Sequence, residues 1–583
     1  MSSVAVNDAL LLPELLGCIA QHLDRKDILQ AILVSQAWHT HLVPLLWRSL
    51  VLPHRWHFFM ADRNTHIGFP DSALFEKYGH LVRSFTCDSL QYYAQYLVPA
   101  CCQLTALEVQ DCTKDTLPLL RLNSATLTSI VLQRKCHSLE KSKPFPALEF
   151  VQAINECPSL TWLQLVDFPV EGKLELEPGG GAVIDRRLRF PAITTPEFAA
   201  AGAAMEADRQ QTAHLFYETV RRLECLSMTR SNIRLPLDRS TEVFYRLRKL
   251  SLIECTSSYR EQLQFVSHCQ YLTHLKLQLN RRNEHLDPED LDAIGLATCC
   301  PRITHLNLAY LKIQDQEIAM LLSHLPNLTD LDAQWTEFAG KSLEYVVSQK
   351  SGLREQLQSL DLTAAKMADS PLIQTLLCAC SGLKRFRATS INAADMVLGV
   401  SGGKTTETVD SWACLQLWEL QLSIVGIPVG DRKLQQGVYS QLSKLTNLRV
   451  LGLGGNSRST WLRIATLELS LASGLSELHR LKELRVFNFS CMSHDLGMDE
   501  VEYMMRHWKN LRTVIGTIHG YRDARWDKEM NEEGAEPWAT VEPRTRTASG
   551  SQDLVLRRQW PRVQFSSTNT RTAELSELVP VYQ

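Results

Sequence analysis

One three-point pattern, LxxLxL, returns through most of this 583-residue chain and limits what it can fold into more than any other feature. It reads Leu160-Leu163-Leu165, Leu247-Leu250-Leu252, Leu272-Leu275-Leu277, Leu357-Leu360-Leu362, Leu417-Leu420-Leu422 and Leu448-Leu451-Leu453. Conservative variants stand at Leu104-Leu107-Val109, Leu127-Ile130-Leu132, Leu223-Leu226-Met228, Ile303-Leu306-Leu308 and Leu481-Leu484-Val486. Weaker copies begin at Val82, Leu328, Leu383 and Leu511, and most copies lie 22 to 34 residues apart. Length alone would suggest about four domains of ~150 residues. Self-similarity at a near-fixed period implies one long array, in which each unit packs only on its neighbours. The 91 leucines are therefore a repeated set of buried slots and not a sign of several separate cores.

In each copy the second and third Leu point inward from a short strand, and the residues between them face out. The rest of each unit, roughly 20 residues, is long enough for a return helix, as at Pro288–Thr298 or Gln314–Ser323. Strands sit ~4.8 Å apart and packed helices ~8–10 Å, so the stack must curve with its parallel sheet on the concave side. The expected class is α/β: a curved leucine-rich repeat solenoid over residues 78–521. One interval breaks the period, the 63 residues from Leu160 to Leu223. Residues 166–220, with Gly179-Gly180-Gly181 and the alanines of Ala199–Ala204, read as a loop inserted on the rim, carrying a short hairpin strand at Leu174–Leu176. Residues 522–583 hold only four leucines and are rich in Glu, Pro, Arg, Ser and Thr. That composition predicts a disordered tail with a terminal cap at 554–565.

Sixteen cysteines raise the question of a metal, above all at Cys299-Cys300 and Cys378-x-Cys380. Repeat register answers it. Cys101, Cys157, Cys269, Cys300, Cys380 and Cys414 each stand three residues before the first position of a copy, where other copies have Leu325, Leu445, Leu478 or Trp508. A slot that accepts Cys, Leu and Trp is apolar and buried, and a reduced Cys fills it as a small hydrophobe. Cys112 and Cys255 share another repeat slot with Asn280 and Asn456. No metal or cofactor is expected. Formal net charge is only -3, without the basic excess of a nucleic-acid binder. No apolar run approaches the ~18–20 residues of a membrane span, and no secretory signal is recognisable, so the expectation is a soluble cytoplasmic or nuclear protein.

Residues Leu12–Leu52 do not follow the repeat. Pro13 suits a first helical turn, with Leu15, Leu16, Ile19 and Leu23 on one face. Asp24 is placed to cap a second helix through Ile28, and Ser35 a third carrying Trp38 and Leu42. About forty residues cannot bury this much apolar surface alone. The order Leu12-Pro13, Leu33-Val34-Ser35, Trp38, Pro44-x-x-Trp47 and Leu50 resembles an F-box, over residues 10–52, and the whole chain resembles an F-box/leucine-rich repeat protein of the fungal type. That resemblance implies the substrate-recognition subunit of a Skp–cullin–F-box (SCF) ubiquitin ligase. Its partners would be a Skp-type adaptor, through it a cullin, and a protein substrate held by the repeats. By position, Leu12, Pro13, Leu15, Leu16, Ile19, Ile28, Leu33 and Val34 would contact the adaptor. Trp38 and Trp47 would hold the helices together and against the repeats. Such a receptor acts by proximity and does no bond chemistry itself.

Residues two and four places after the first Leu should line the sheet's outward face. Along the array these are His274 and Lys276, His305 and Asn307, Asp330 and Asp332, Ser359 and Asp361, then Arg385 and Arg387. Trp162 and Trp335 lie at or beside this face. The acidic patch of Asp330, Asp332 and Asp361, flanked by basic rows, is the expected substrate surface, because aromatics among mixed charges anchor protein interfaces. Gly399–Thr405 lacks one residue of a phosphate loop. His39 and His41, two apart on a helix, face different ways and share no metal. Two rival classes stand beside the ligase reading: an F-box protein acting outside ubiquitylation, and a repeat scaffold or regulator of another enzyme.

Overall fold

A computed structural model describes residues 12–52, 72–90, 94–134, 147–168, 196–231, 243–255, 259–278, 300–365, 368–398, 400–401, 404–405, 411–428, 430–454, 467–490, 492, 496–516 and 564–566. The chain divides into two compact units, Met1–Arg302 and Ile303–Gln583.

The first unit opens with three short helices, α1 (Pro13–Ala20), α2 (Arg25–Ala31) and α3 (Gln36–Arg48). Their boundaries follow from local chemistry. Pro13 occupies the first turn of α1, where its missing N–H costs nothing. Asp24 accepts the Asp27 amide at 2.8 Å, and Ser35 accepts the Trp38 amide at 3.2 Å, each satisfying a donor that the helix itself leaves open. Ala20, Ile28, Ala31 and Leu42 form the centre of this bundle, with Leu23, Ile32, Trp38, Leu45 and Leu46 packed around them. Helix α3 runs straight into β1 (Ser49–Val51). The unit continues as α4 (Ser72–Tyr78), β2 (Ser84–Ser89), α5 (Ala94–Ala100), β3 (Ala106–Asp111), α6 (Thr116–Leu122), β4 (Ser129–Gln133), α7 (Ala147–Asn155) and β5 (Trp162–Val166). Then come α8 (Pro196–Val220), β6 (Cys225–Thr229), β7 (Lys249–Ile253), α9 (Tyr259–Ser267) and β8 (His274–Gln278).

The second unit contains β9 (His305–Asn307), α10 (Asp315–Ser323), β10 (Asp330–Asp332), α11 (Gly340–Val347), α12 (Leu353–Gln356), β11 (Ser359–Leu362), α13 (Ser370–Ala379) and β12 (Arg385–Asn392). It goes on through α14 (Ala393–Leu398), β13 (Val400–Ser401), β14 (Lys404–Thr405), β15 (Glu419–Val425), α15 (Arg432–Ser443), β16 (Val450–Gly452), β17 (Val486–Asn488), α16 (Met498–His507), β18 (Thr513–Ile515) and β19 (Gln564–Ser566). β13 and β14 form a small antiparallel hairpin of their own.

In each unit the strands pair in parallel, in chain order. β1 to β8 form one run, in which Leu50, Phe85, Leu107, Ile130, Leu163, Leu226, Leu250 and Leu275 stand directly opposite one another. β9 to β12 and β15 to β19 form the other, aligned on Leu306, Leu331, Leu360, Phe386, Leu420, Leu451, Phe487, Val514 and Phe565. The second Leu of the motif is thus the register mark of the sheet. Nearly all these side chains are buried, each stabilising its rung by about 1.5–3 kcal/mol relative to exposure. One rung per motif copy, parallel pairing and return helices make this a leucine-rich repeat architecture.

Three details depart from the expectations above. Phe487 opposes Leu451, so the copy placed at Leu481 is really Leu484-Phe487-Phe489, with aromatics in the Leu slots. β5 pairs directly with β6, so the 63-residue interval adds no rung between them. Its residues 196–220 are a 25-residue helix, where a loop was expected, and Phe216, Tyr217 and Val220 are buried as in any return helix. Two rungs fall on no copy of the motif: β1, where Leu50 closes the amino-terminal segment, and β19, at the edge of the expected 554–565 cap. The sites at Leu174–Leu176 and Pro288–Thr298, and most of 522–583, lie outside the described residues.

Candidate functional site

The amino-terminal helices divide their apolar residues between a core and a surface. Leu33 is 76% exposed and Val34 67%, both in the turn between α2 and α3. Leu12 and Leu15 on α1 and Leu29 on α2 are also exposed, as is Pro13, whereas Ile19 is half-buried. Leu16 (0%) and Ile28 (9%), expected among the adaptor contacts, are buried. Their side chains point between the helices, so in this conformation they position the surface and do not present it. Leu29 lies off the apolar helical stripe through Ile28 and Ile32, so periodicity alone does not pick it out. Trp47 packs away from this surface, edge-on to Phe75 at 5.9 Å and stacked on Tyr78 at 5.3 Å, which fixes α3 to α4.

On the second unit's sheet, register places two outward rows. His305, Asp330, Ser359, Arg385 and Glu419 form one, and Asn307, Asp332, Asp361, Arg387 and Gln421 the other. The expected acidic patch is assembled, but it is tied up laterally. His305 Nε2 lies 3.2 Å from Asp330, whose other oxygen is 3.8 Å from Arg385. Asn307 donates to Asp332 at 2.7 Å, and Gln334 donates to Asp361 at 3.1 Å. Arg387 lies 3.7 Å from Asp361 and donates to Glu419 at 2.6 Å. Glu419 is 3% exposed, and Gln421 also donates to it, at 2.8 Å. Removing one partner of such a buried pair typically strands the other at a cost of about 3–5 kcal/mol. Arg387 and Asp361, expected as substrate contacts, are members of a charge network that links adjacent rungs. Glu419 stands two places after Leu417, so the same register rule would have found it.

The outward face is not open along its whole length. From β15 to β18 the outward Glu419, Gln421, Val450, Val486, Asn488 and Thr513 are all buried, and Trp418 packs on Val450, Val486 and Ile515. Partly accessible outward positions of this unit are those of β9, β10 and β12, with Trp335 beside them, while Ser359 and Asp361 of β11 are buried. Trp335 is 49% exposed and stacks on Tyr310 with ring centroids 5.9 Å apart. Both have positive φ, 58° and 67°, as do Asp167, Arg230, Glu254 and Ala364. All six lie four residues after the register Leu of their rung, and the amides of Trp335 and Tyr310 bond to carbonyls of the next rung. The repeat thus forces a left-handed residue at this slot, and here it turns two aromatic rings onto the rim. Trp162, 47% exposed, and Lys276 belong to the first unit, on β5 and β8.

Cys101, Cys112, Cys157, Cys255, Cys269, Cys300, Cys380 and Cys414 are buried. Burial pushes the thiols of Cys101, Cys380 and Cys414 up to about 12. Their sulfurs serve packing: Cys157 and Cys269 donate to the helical carbonyls of Ala153 and Phe265.

No protein-family model matches the chain, and no curated protein matches it. Among solved structures it is similar to the internalin inlF of Listeria monocytogenes, at 14% identity with a TM-score of 0.34, covering 67% of this chain and 83% of that one. It is also similar to internalin C2 of the same organism, at 15% identity with a TM-score of 0.22, covering 40% of this chain and 74% of that one.

Proposed function

We propose that this chain is the non-catalytic substrate-recognition subunit of an SCF ubiquitin ligase, docking a Skp-type adaptor through its amino-terminal helices and a protein substrate through its repeats. The observation that carries the reading is the exposure of Leu12, Leu15, Leu29, Leu33 and Val34, large apolar side chains left in water while Ala20, Ile28, Ala31 and Leu42 form the centre of the bundle. Exposed apolar patches of this kind mark protein contacts. Pro13 borders the cluster, and Leu16 and Ile28 hold its helices from beneath. On the repeats, Trp335, His305, Asp330, Asp332 and Arg385 are the proposed substrate contacts of the second unit, and Trp162 and Lys276 those of the first. The adaptor would join the receptor to a cullin, and transfer of ubiquitin would follow from proximity alone.

Co-expression with a Skp-type adaptor tests this. Wild-type chain should retain the adaptor through purification, and Leu33→Asp/Val34→Asp should lose it while keeping its helical content. A wild-type chain that retains no adaptor would sink the ligase reading and leave a repeat scaffold.

A further inference from the structure

The position immediately after the first Leu of each copy forms a ladder at the starts of the strands. In much of the chain that slot is threonine, and the reason is structural. The hydroxyls of Thr105, Thr128, Thr161, Thr273 and Thr329 each donate to the carbonyl of the preceding rung, at 3.0 to 3.2 Å. Later in the second unit the same slot holds Lys384, Trp418, Arg449, Arg485 and Arg512. Backbone bonds prove that these are consecutive rungs. The amide of Trp418 donates to Lys384, that of Arg449 to Trp418, that of Arg485 to Arg449 and that of Arg512 to Arg485, at 2.7 to 2.8 Å.

Like charges on directly adjacent strands, ~4.8 Å apart, destabilise a sheet. The neighbouring charges on the outward face are compensated in place by Asp330, Asp361 and Glu419. The ladder is not. Among the described residues no carboxylate pairs with Arg449, Arg485 or Arg512, and Lys384 donates only to the neutral Gln358 side chain, at 3.0 Å. Threonine would satisfy the same slot without repulsion. Where the first unit has a cation there, Arg248 donates to the Tyr271 carbonyl at 3.2 Å and lies over the Tyr271 ring, and among the described residues Arg449, Arg485 and Arg512 make no such side-chain contact. Lys482 and Lys509 add positive charge nearby, and with His479 and Arg506 they help lower the pKa of His507, after desolvation.

We propose that the strand-start edge of the second unit is an interaction surface for an acidic segment of a partner protein, whose carboxylates lie across Arg449, Arg485 and Arg512. An extended segment presents same-side residues every ~6.8 Å, so alternate acidic residues spread over three rungs. Guanidinium forks suit carboxylates at each of them. A net charge of -3 provides no wider basic field of the sort that nucleic acid needs. The inference names the chemistry of the captured partner and rests on the receptor reading for that partner's role only.

Fluorescence anisotropy of labelled oligoglutamate with the purified full chain at low salt tests it, without any adaptor. Wild type should bind, less tightly as salt rises. Arg449→Glu/Arg485→Glu/Arg512→Glu should weaken binding about tenfold or more. A control with the same charge change elsewhere, Lys26→Glu/Lys114→Glu/Arg121→Glu, should stay within about twofold. If circular dichroism shows the reversed variant unfolded, the triple Arg→Gln variant must show the same loss. No binding by wild type, equal losses in ladder and control, or tighter binding of an RNA of matched charge would overturn the proposal. So would binding that emerges only when Asp527, Glu529, Glu532, Glu533 and Glu536 are neutralised, since the cations would then serve the chain's own acidic stretch. Adaptor capture through Leu33 and Val34 is read separately, so either proposal can fail alone.

Discussion

Cys101 and Cys102 are neighbours in the chain with opposite surroundings. Cys101 fills an apolar repeat slot and is 1% exposed, while Cys102 faces solvent. The thiolate is the reactive form, and burial disfavours it, which is why the Cys101 thiol is pushed up to about 12. Alkylation of the native protein at neutral pH, followed by mass spectrometry, should therefore label Cys18 and Cys102 rapidly and Cys101, Cys380 and Cys414 only after denaturant is added. Prompt labelling of native Cys101 would contradict the packing. The cysteine slots were legible in the sequence because Cys, Leu and Trp exchange at one register position. Leu16 and Ile28 were not separable from their exposed neighbours, since helical periodicity identifies an apolar stripe but not which of its edges a second helix will cover.

At the scale of elements, one repeat caps the next. The Asp315 carboxylate, at the start of α10, accepts the amides of Ala339, Lys341 and Ser342 at 2.7 to 3.0 Å, so it closes the first turn of α11. Burial alone would raise its pKa, but these bonds and that from Ser342 outweigh burial and hold it below its ordinary value of 3.8. A depressed carboxylate stabilises the fold above its unfolded value, and that contribution is lost as pH falls through the folded one. Asp315→Ala should cost about 0.5–2 kcal/mol at neutral pH in urea titration, with the gap from wild type closing as pH drops below about 4. A gap that widened in acid would contradict this reading. Strand positions were largely legible, because the register Leu recurs wherever a rung does. The exceptions have physical causes. At Phe487 and Phe489 aromatics replaced Leu, so a nearby Leu481-Leu484 pair drew the motif three residues too early. Around α8 the alanine-rich start of a long helix carries no apolar stripe to announce its buried end at Phe216–Val220, and no periodicity separates an inserted segment from the return helix it extends.

The molecule as a whole is two repeat units with a three-helix module at the front of the first. Its length provides interaction surface, and its charge is kept local: paired ladders on the outward face of the second unit, an uncompensated one at the strand starts. Fold class was visible in the sequence as period and register. The proposed function rests on a resemblance, because a binding surface is a shape with charges on it and has no reaction chemistry to leave a motif. The account stands on the amino-terminal surface being a docking site. Hydrogen exchange of the full chain, with and without a Skp-type adaptor, tests that most directly. Adaptor should slow exchange in residues 12–34, most strongly around Leu33 and Val34, and should leave exchange there unchanged in Leu33→Asp/Val34→Asp. Unchanged exchange across these residues at saturating adaptor would contradict it.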